Sequence, residues 1–132
     1  MEEMYMSQHV ATTAEETLKI IERFNDAFGR HDVDAVMDLM TDDVVFENTS
    51  PTPDGTRYEG RADVRRFWTE FFAASPQAMF EAEDTFAADD RCCIRWIYRW
   101  GGGAEGDGHV RGVDVFRVRD GKVAEKLSYV KG

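Results

Sequence analysis

The chain has 132 residues, of which 42% are hydrophobic, and its formal net charge at pH 7 is −10. This length and composition suit one globular domain with its own hydrophobic core. The acidic charge repels a phosphate backbone, which argues against nucleic acid as a partner. No apolar run approaches the roughly 20 residues of a membrane-spanning helix, and the start of the chain lacks the pattern of a signal peptide. We therefore expect a cytoplasmic protein that makes no membrane contact.

The sequence offers no set of residues for a metal or a cofactor. Cys92 and Cys93 are adjacent, so in a strand their side chains point to opposite faces and are poor disulfide partners. We interpret them as small packed residues in a reducing compartment. No cluster of Cys and His has metal-ligand spacing, and no glycine-rich loop opens a helix after a strand. We expect neither a metal site nor a cofactor.

A capping motif predicts where the first helix begins. Residues 1–12 are expected to form a flexible tail, and residues 13–132 a single domain. Thr13 and Glu16 have the spacing of a capping box with Thr13 as N-cap. The helix that follows carries one apolar stripe, and Gly29 is predicted to end it in the left-handed conformation. Four residues form the stripe: Leu18, Ile21, Phe24 and Phe28.

Three further elements are predicted before the main run of strands. Asp32 is expected to cap a short second helix that the run 41–43 would break, and 44–48 has the pattern of a strand. The segment 50–60 contains two prolines and Asp54-Gly55 and is predicted to be a loop. A third helix is expected from about Ala62 to Ala73, because apolar residues recur there at the helical period: Val64, Phe67, Trp68, Phe71 and Phe72.

Four strands are predicted in succession after the third helix. They are 77–87, 92–100 and the two arms of a hairpin, 109–119 and 122–130. The hairpin turns at Asp120-Gly121, a dipeptide typical of two-residue turns between alternating segments. Helices that come before most of the strands favour an α+β fold, in which long strands curl around the helices and leave a pocket open at one end.

Asp114 lies on the more apolar face of the first arm of this hairpin. Side chains alternate between the faces of a strand, so Asp114 shares its face with Val110, Gly112, Phe116 and Val118. Gly112 leaves room beside it. A buried carboxylate must be paired, hydrogen-bonded or protonated. Asp114 is therefore either a core acid satisfied by a neighbouring strand or the acid of a ligand pocket.

The chain resembles the nuclear transport factor 2-like superfamily, and within it the SnoaL-like branch. Three segments carry the resemblance by their order and spacing: FNDAFGRHDVDAVMDLMTDDVVFEN, YEGRADVRRFW and GVDVFRVRDGKVAEKLSYVKG. The resemblance implies an α+β cone, in which a strongly curved antiparallel sheet wraps over three N-terminal helices around a mostly apolar pocket. Members include isomerases, cyclases, dehydratases, epoxide hydrolases and non-catalytic binding modules, so the fold alone does not give the function.

Two members allow positions to be compared with this sequence. Ketosteroid isomerase uses an Asp base with a Tyr and a protonated Asp as oxyanion donors, and by resemblance these positions fall on Asn48, Phe24 and Asp114. An amide and a phenyl ring cannot replace the two missing groups, which disfavours steroid isomerisation by that mechanism. SnoaL-like cyclases use a pocket Asp as general acid/base in an aldol ring closure, and that Asp matches Asp114.

Two other enzyme patterns of the superfamily are absent. Limonene epoxide hydrolase uses an Asp-Arg-Asp set. By resemblance its arginine falls near Arg95, but its two acids fall on Ile97 and near Ser128, so both acids are missing here. Scytalone dehydratase uses paired pocket histidines. The histidines here lie in the tail, in a turn between helices and at a strand start, and we interpret them as solvated: His9, His31 and His109.

By resemblance the last strand presents Lys126 and Ser128 to the pocket. Lys126 either pairs with Asp114, which favours the ionised carboxylate, or lies at the rim with its charge in solvent. Asn48 either orients a ligand carbonyl or hydroxyl or bonds its own backbone in a loop. The other candidate ligand-binding residues are expected mainly to pack in the hydrophobic core and secondarily to form the wall of a ligand pocket: Phe24, Phe46, Phe67, Trp68, Ile94, Trp96 and Phe116.

Two functions fit these residues. The first is a cofactor-independent lyase, isomerase or cyclase in which Asp114 is the general acid/base on a small apolar carbonyl compound and Asn48 polarises it. The second is a non-catalytic module that binds a hydrophobic ligand or dimerises. The outer sheet face is expected to be apolar between arginines, at Cys93, Ile97, Val113 and Val115. Such patches mark interfaces, and family members commonly dimerise through this face, so we expect a homodimer.

Overall fold

Three helices and six strands make up the part of the chain that the computed structural model describes, residues 12–101 and 106–131. The helices are α1 (Ala14–Gly29), α2 (Val33–Asp38) and α3 (Arg61–Ala74). The strands are β1 (Met40–Glu47), β2 (Arg57–Glu59), β3 (Met79–Ala88), β4 (Arg91–Trp100), β5 (Gly108–Arg119) and β6 (Lys122–Val130). The predicted tail up to residue 11, with His9, lies outside the described residues, as does part of the loop after β4.

The strands form one sheet in the order β2-β1-β6-β5-β4-β3. Neighbouring strands are antiparallel except β1 and β6, which run parallel. The helices cover the inner face of the sheet, and the core between them is rich in aromatic rings. The predicted α+β fold with a curved sheet over three helices is confirmed, with one parallel pairing as the exception. Within the described ranges, no helix combines the length and the apolar character needed to cross a membrane.

Capping signals set the starts of the first two helices as predicted. The Thr13 hydroxyl accepts a hydrogen bond from the Glu16 N–H at 3.1 Å, and the Glu16 carboxylate accepts one from the Thr13 N–H at 3.0 Å. Asp32 caps α2 by accepting from the Ala35 N–H at 3.1 Å. These three bonds satisfy N–H groups that have no partner inside the helix.

The end of α1 differs from the prediction. Gly29 stays outside the left-handed region, and His31 adopts it instead, with φ 56°. His31 is also not a solvated residue. Its ring stacks on Phe72 with centroids 4.5 Å apart, and its Nε2 lies 3.2 Å from the Ala78 carbonyl oxygen. Contacts with α3 and the segment before β3 thus hold the turn between α1 and α2.

Two segments predicted as a break and a loop belong to the sheet. Residues 41–43 lie inside β1, which starts at Met40 because Met40 pairs with Val123 of β6. Residues 57–59 form β2, which is antiparallel to residues 45–47 of β1. In both cases pairing with a distant strand overrides the local turn signal.

The β5–β6 hairpin has the predicted turn and an unpredicted bulge. Asp120 and Gly121 have φ values of 54° and 77°, and positive φ at both central residues is what the favoured two-residue hairpin turn requires. Val118 pairs with Val123, but Arg117 pairs with Glu125, so Ala124 is an extra residue in β6. This bulge sets the register in which Lys126 and Ser128 lie opposite Phe116 and Asp114.

The outer face of the sheet carries an apolar row across four strands. Phe86, Cys93, Val115 and Leu127 are successive neighbours from β3 to β6. Phe86 is 60% exposed, and Tyr129, which pairs with Val113, is 52% exposed.

Ile97, which was predicted to be part of this outer surface, is buried. It lies on β4 between Glu81 of β3 and Arg111 of β5. Arg111 forms an ion pair with Glu83 of β3 at 2.7 Å, and this pair spans β4. The long side chains therefore cover Ile97, and the exposed apolar row lies further along the strands.

Candidate functional site

Asp114 lies in the middle of β5 on the inner face of the sheet. Its Cα partners are Ile94 of β4 and Ser128 of β6, and only 7% of the residue is exposed. One carboxylate oxygen, Oδ1, accepts a hydrogen bond from the Ser128 hydroxyl at 2.7 Å. The other, Oδ2, lies 3.1 Å from the Lys126 ammonium nitrogen. The carboxylate is thus paired and hydrogen-bonded, as burial of a charge requires.

Lys126 is the cation of this pair and not a residue of the rim. It is 5% exposed, and its Nζ also lies 3.2 Å from the Ser128 hydroxyl oxygen. Four aromatic rings surround the ammonium, with centroids 5.1–5.9 Å from Nζ: Phe28, Phe46, Trp68 and Phe116. Rings at this distance attract a cation through their negative faces. Of the two predicted roles of Lys126, the structure shows the ion pair with Asp114 and not a position at the rim with the charge in solvent.

Two cavities reach this pair from different sides. The first lies at the end of β1 beside Asn48, has a volume of about 90 Å³, and is called here the strand-end cavity. The second lies under the C-terminal part of α1, has a volume of about 80 Å³, and is called the helix-side cavity. Four residues line both cavities: Phe80, Trp96, Asp114 and Lys126. The rings of Phe80 and Trp96, which meet edge to face at 5.3 Å, therefore form a shared wall.

Gly112 does not leave room for a ligand as its position suggested. The Trp96 ring occupies that space, because a Cβ built on Gly112 would lie 2.6 Å from two atoms of the indole. It would also lie 2.2 Å from the Tyr129 carbonyl oxygen on β6. The absence of a side chain at Gly112 thus allows Trp96 to lie against β5, where it forms the shared wall.

Polar groups other than the ion pair also lie at the strand-end cavity. The Asn48 backbone N–H donates to the Thr56 carbonyl at 2.9 Å, and the residue lines the cavity. The indole Nε1 atoms of Trp68 and Trp96 are buried and have no hydrogen-bond acceptor among the described residues. Both tryptophans line the same cavity, but their Nε1 atoms are themselves buried, so these two donors are not exposed to it.

The sequence-predicted residues divide between the two cavities. Phe24 and Ile94 line the helix-side cavity, whereas Phe46, Phe67, Trp68 and Ser128 line the strand-end cavity. Phe116 lines neither. It is 1% exposed and packs edge to face on Phe24 at 5.6 Å, beneath the ion pair.

Sequence reasoning missed several residues of the cavity walls. Phe28 had been assigned only to the stripe of α1, and Phe80 lies on the inner face of β3, opposite Tyr98. The alternation along β3 could have identified Phe80. The other missed residues come from several elements and one loop: Asn25, Gly29, Thr49, Phe71, Ala82, Tyr98 and Val110.

The cysteines do not provide a nucleophile for this site. Burial, with a smaller contribution from Cys93, raises the pKa of the Cys92 thiol to about 11. Burial also raises the pKa of Cys93, followed by the negative charges of Asp114 and Asp84. Both thiols therefore stay protonated at neutral pH, and the thiolate is the reactive form. Across residues 12–101 and 106–131, no group of three or more His, Cys, Asp or Glu side chains could hold a metal ion.

Comparison with known proteins identifies one matching family model and many similar structures. Residues 21–126 match the model described as a SnoaL-like domain. No curated protein matches the chain. A nuclear transport factor 2-like protein of unknown function from Mesorhizobium loti is 44% identical, with a TM-score of 0.78 over 90% of this chain and 93% of the other.

Two further solved structures resemble the chain at lower identity. A proposed ketosteroid isomerase from Kribbella flavida is 20% identical, with a TM-score of 0.76 over 92% of this chain and 82% of the other. A proposed polyketide cyclase from Xanthomonas campestris is 21% identical, with a TM-score of 0.71 over 89% and 92%. At these identities the likeness extends to the fold and not to the chemistry.

Proposed function

Because the chain belongs to the SnoaL-like domain family, we propose that it is a cofactor-independent lyase, isomerase or cyclase acting on a small apolar carbonyl compound. Asp114 is its general acid/base. The observation that carries the proposal is that this carboxylate, 7% exposed, lines both cavities of an otherwise mostly apolar pocket. A charged group in such a setting is a common mark of a functional site.

The contacts of Asp114 suit proton transfer. A carboxylate has about four lone-pair sites, and Ser128 and Lys126 each engage one oxygen. Sites remain on both oxygens for a proton of the ligand. The two partners fix the orientation of the carboxylate, and its burial strengthens electrostatic interactions with a bound ligand.

The volumes of the cavities limit the ligand. A cavity of about 150 Å³ admits benzene, whereas the cavities here measure about 90 and 80 Å³. With the side chains as they are, one cavity holds a compound smaller than benzene. A larger ligand has to displace the shared wall of Phe80 and Trp96.

The alternative is a non-catalytic module of the same fold that binds a hydrophobic ligand. The observation that favours it is that both oxygens of Asp114 already have partners within the protein. An acid held in this way also stabilises a pocket that performs no chemistry. The missing base and tyrosine of ketosteroid isomerase, at Asn48 and Phe24, are consistent with this alternative.

Exchange of protons next to a carbonyl tests the enzyme proposal without knowledge of the substrate. Small aliphatic ketones and aldehydes are incubated with the protein in D₂O, and loss of their α-proton signals is followed by NMR. We expect the wild type to accelerate exchange of at least one compound and Asp114→Asn to abolish this acceleration. Asp38→Asn, at an exposed position of α2, is the matched control and should exchange like the wild type.

Two results would favour the module instead. One is an exchange rate with the wild type that never exceeds that with Asp114→Asn. The other is a compound that the wild type retains unchanged from a metabolite extract, as identified by mass spectrometry. Circular dichroism of each variant at the assay temperature separates loss of chemistry from loss of fold, because Asp114→Asn leaves the Lys126 ammonium without its counter-charge.

We further propose that the protein is a two-fold homodimer through the outer sheet face. The apolar row of Phe86, Cys93, Val115 and Leu127 supports this, because Phe86 is exposed and the other three are only half-buried, and contiguous apolar surface marks interfaces. Charges of both signs flank the row, at Arg95 and Arg117 and at Asp84 and Glu125. A second copy related by a two-fold axis presents the same set and can therefore match arginines with acids.

A further inference from the structure

We propose that Lys126 is the group that receives the ligand oxygen, and that the ligand class is a neutral carbonyl compound with few hydrogen-bond donors. The inference deepens the proposed function and rests on it, since it assigns the polarising role to Lys126 and not to Asn48. Two observations support it: an unused N–H on Lys126 and the balance of charge in the pocket.

The ammonium of Lys126 has a donor to spare. An ammonium carries three N–H groups, and two of them have acceptors, Asp114 Oδ2 at 3.1 Å and the Ser128 hydroxyl oxygen at 3.2 Å. Among the described residues the third has no acceptor. Lys126 lines both cavities, and we assign this N–H to a ligand bound there.

The balance of charge favours a neutral ligand over an anionic one. Asp114 and Lys126 are the only charged residues that line either cavity within the described chain, and they neutralise each other. A bound carboxylate would place a second negative charge beside Asp114 with no second cation, and burial of such a charge is costly. A ketone oxygen accepts the Lys126 N–H without this cost.

The resulting step is balanced without any further reactant. Asp114 takes the α-proton of the ketone, and the electron pair of the broken C–H bond forms the C=C bond of the enolate. The π pair of the carbonyl moves to its oxygen, where the Lys126 ammonium stabilises the negative charge. Such stabilisation of developing charge is among the largest contributions to catalysis of this kind.

Three probes of similar shape test the ligand class on the unmodified protein. They are 2-butanone, 2-methyl-1-butene, which replaces the carbonyl oxygen by CH₂, and propionate, which replaces a methyl group by O⁻. Binding is followed by NMR of the protein labelled with ¹³C at the lysine ε-carbons. We expect 2-butanone to shift the Lys126 signal saturably and the other two to bind about tenfold more weakly or worse, the loss expected for a hydrogen bond to a charged group.

Variants test the donor. Because Lys126→Met lacks the reporter signal, binding to the variants is followed through the methyl signals of 2-butanone. Lys126→Met should weaken the binding of 2-butanone about tenfold or more, whereas Lys122→Met, which replaces an exposed lysine at the start of the same strand, should leave it unchanged. If Lys126→Met does not fold, the double variant Lys126→Met/Asp114→Asn removes both charges and takes its place. Equal affinity for the ketone and the alkene, tighter binding of propionate, no saturable binding of 2-butanone, or wild-type affinity without Lys126 would each overturn the proposal.

The same proteins separate this proposal from the proposed function. If the ketone preference depends on Lys126 but no α-proton exchange occurs, the donor assignment holds and the enzyme proposal fails. If exchange depends on Asp114 and proceeds at the wild-type rate without Lys126, the enzyme proposal holds and the donor assignment fails.

Discussion

Removal of one partner of the buried Asp114–Lys126 pair is expected to cost about 3–5 kcal/mol of the free energy of unfolding, with Asp114→Asn at the lower end because it keeps an acceptor oxygen. The charged atoms lie 3.1 Å apart. At an effective dielectric constant of about 20 this separation gives an attraction of about 5 kcal/mol, against about 1 kcal/mol in water. Both residues are at least nine-tenths buried. The attraction of about 5 kcal/mol therefore applies to this pair, before the cost of desolvating the two charges is subtracted.

A double-mutant cycle measures the coupling within the pair. Wild type, Asp114→Asn, Lys126→Met and the double variant are unfolded in urea, and the slopes are compared to check that all four unfold alike. We expect the double variant to lose less than the sum of the single losses, with a coupling free energy of about 2 kcal/mol. The double variant leaves no buried charge without a partner.

An exposed ion pair of similar length is the control. Arg65 and Asp34 lie 2.8 Å apart, but their side chains are 46% and 84% exposed. A cycle on this pair should give a coupling below about 1 kcal/mol. If the Asp114–Lys126 coupling is no larger than that of the exposed pair, the pair is not desolvated and the reasoning about the pocket is wrong.

Three further predictions follow from other contacts. Gly112→Ala should lower the free energy of unfolding by about 1–3 kcal/mol, because its Cβ overlaps Trp96 and the Tyr129 carbonyl. The control is Gly29→Ala, whose Cβ would have nothing within 4 Å and whose urea midpoint should equal or exceed that of the wild type. Equal losses of stability in the two variants would contradict the packing argument. Light scattering of the wild type should give twice the 15.1 kDa chain mass. Val115→Arg should give the single-chain mass with an unchanged circular dichroism spectrum. A wild-type monomer at micromolar concentration would refute the dimer. Native protein at pH 7 should react slowly with iodoacetamide at Cys92, whose pKa is raised to about 11, and rapid modification of folded protein would count against this.

The features predicted correctly from the sequence are encoded by residues close together in the chain. The Thr13–Glu16 capping box and the Asp120-Gly121 turn each depend on a few consecutive residues, and α3 on a continuous period of apolar residues. The inaccurate predictions concern pairing at long range. Met40 belongs to β1 because it pairs with Val123, which lies more than half the chain away. No local sequence pattern predicts such a partner.

The candidate site divides in the same way. Alternation along β5 is sufficient to assign Asp114 to the inner face. The room beside Gly112 could not be assigned, because Trp96 on the neighbouring strand takes it. Lys126 was expected on the pocket face only by resemblance. Counting from the turn without a bulge would have paired it with Val115 on the outer face, and the structure pairs it with Phe116.

The bulge at Ala124 makes the chemistry of the pocket depend on the register of β6 as well as on residue type. Side chains alternate with a period of two, so a shift of the pairing by one residue presents the opposite face of a strand. If Ala124 paired with Arg117 in a regular ladder, Leu127 and Tyr129 would turn inward and Lys126 and Ser128 outward, which would leave Asp114 without either partner. Deletion of Ala124 would keep the pocket, because Glu125 would then follow Val123 and still lie opposite Arg117. For relatives aligned through this hairpin, a lysine one residue closer to the turn can therefore occupy the same place when the bulge is absent.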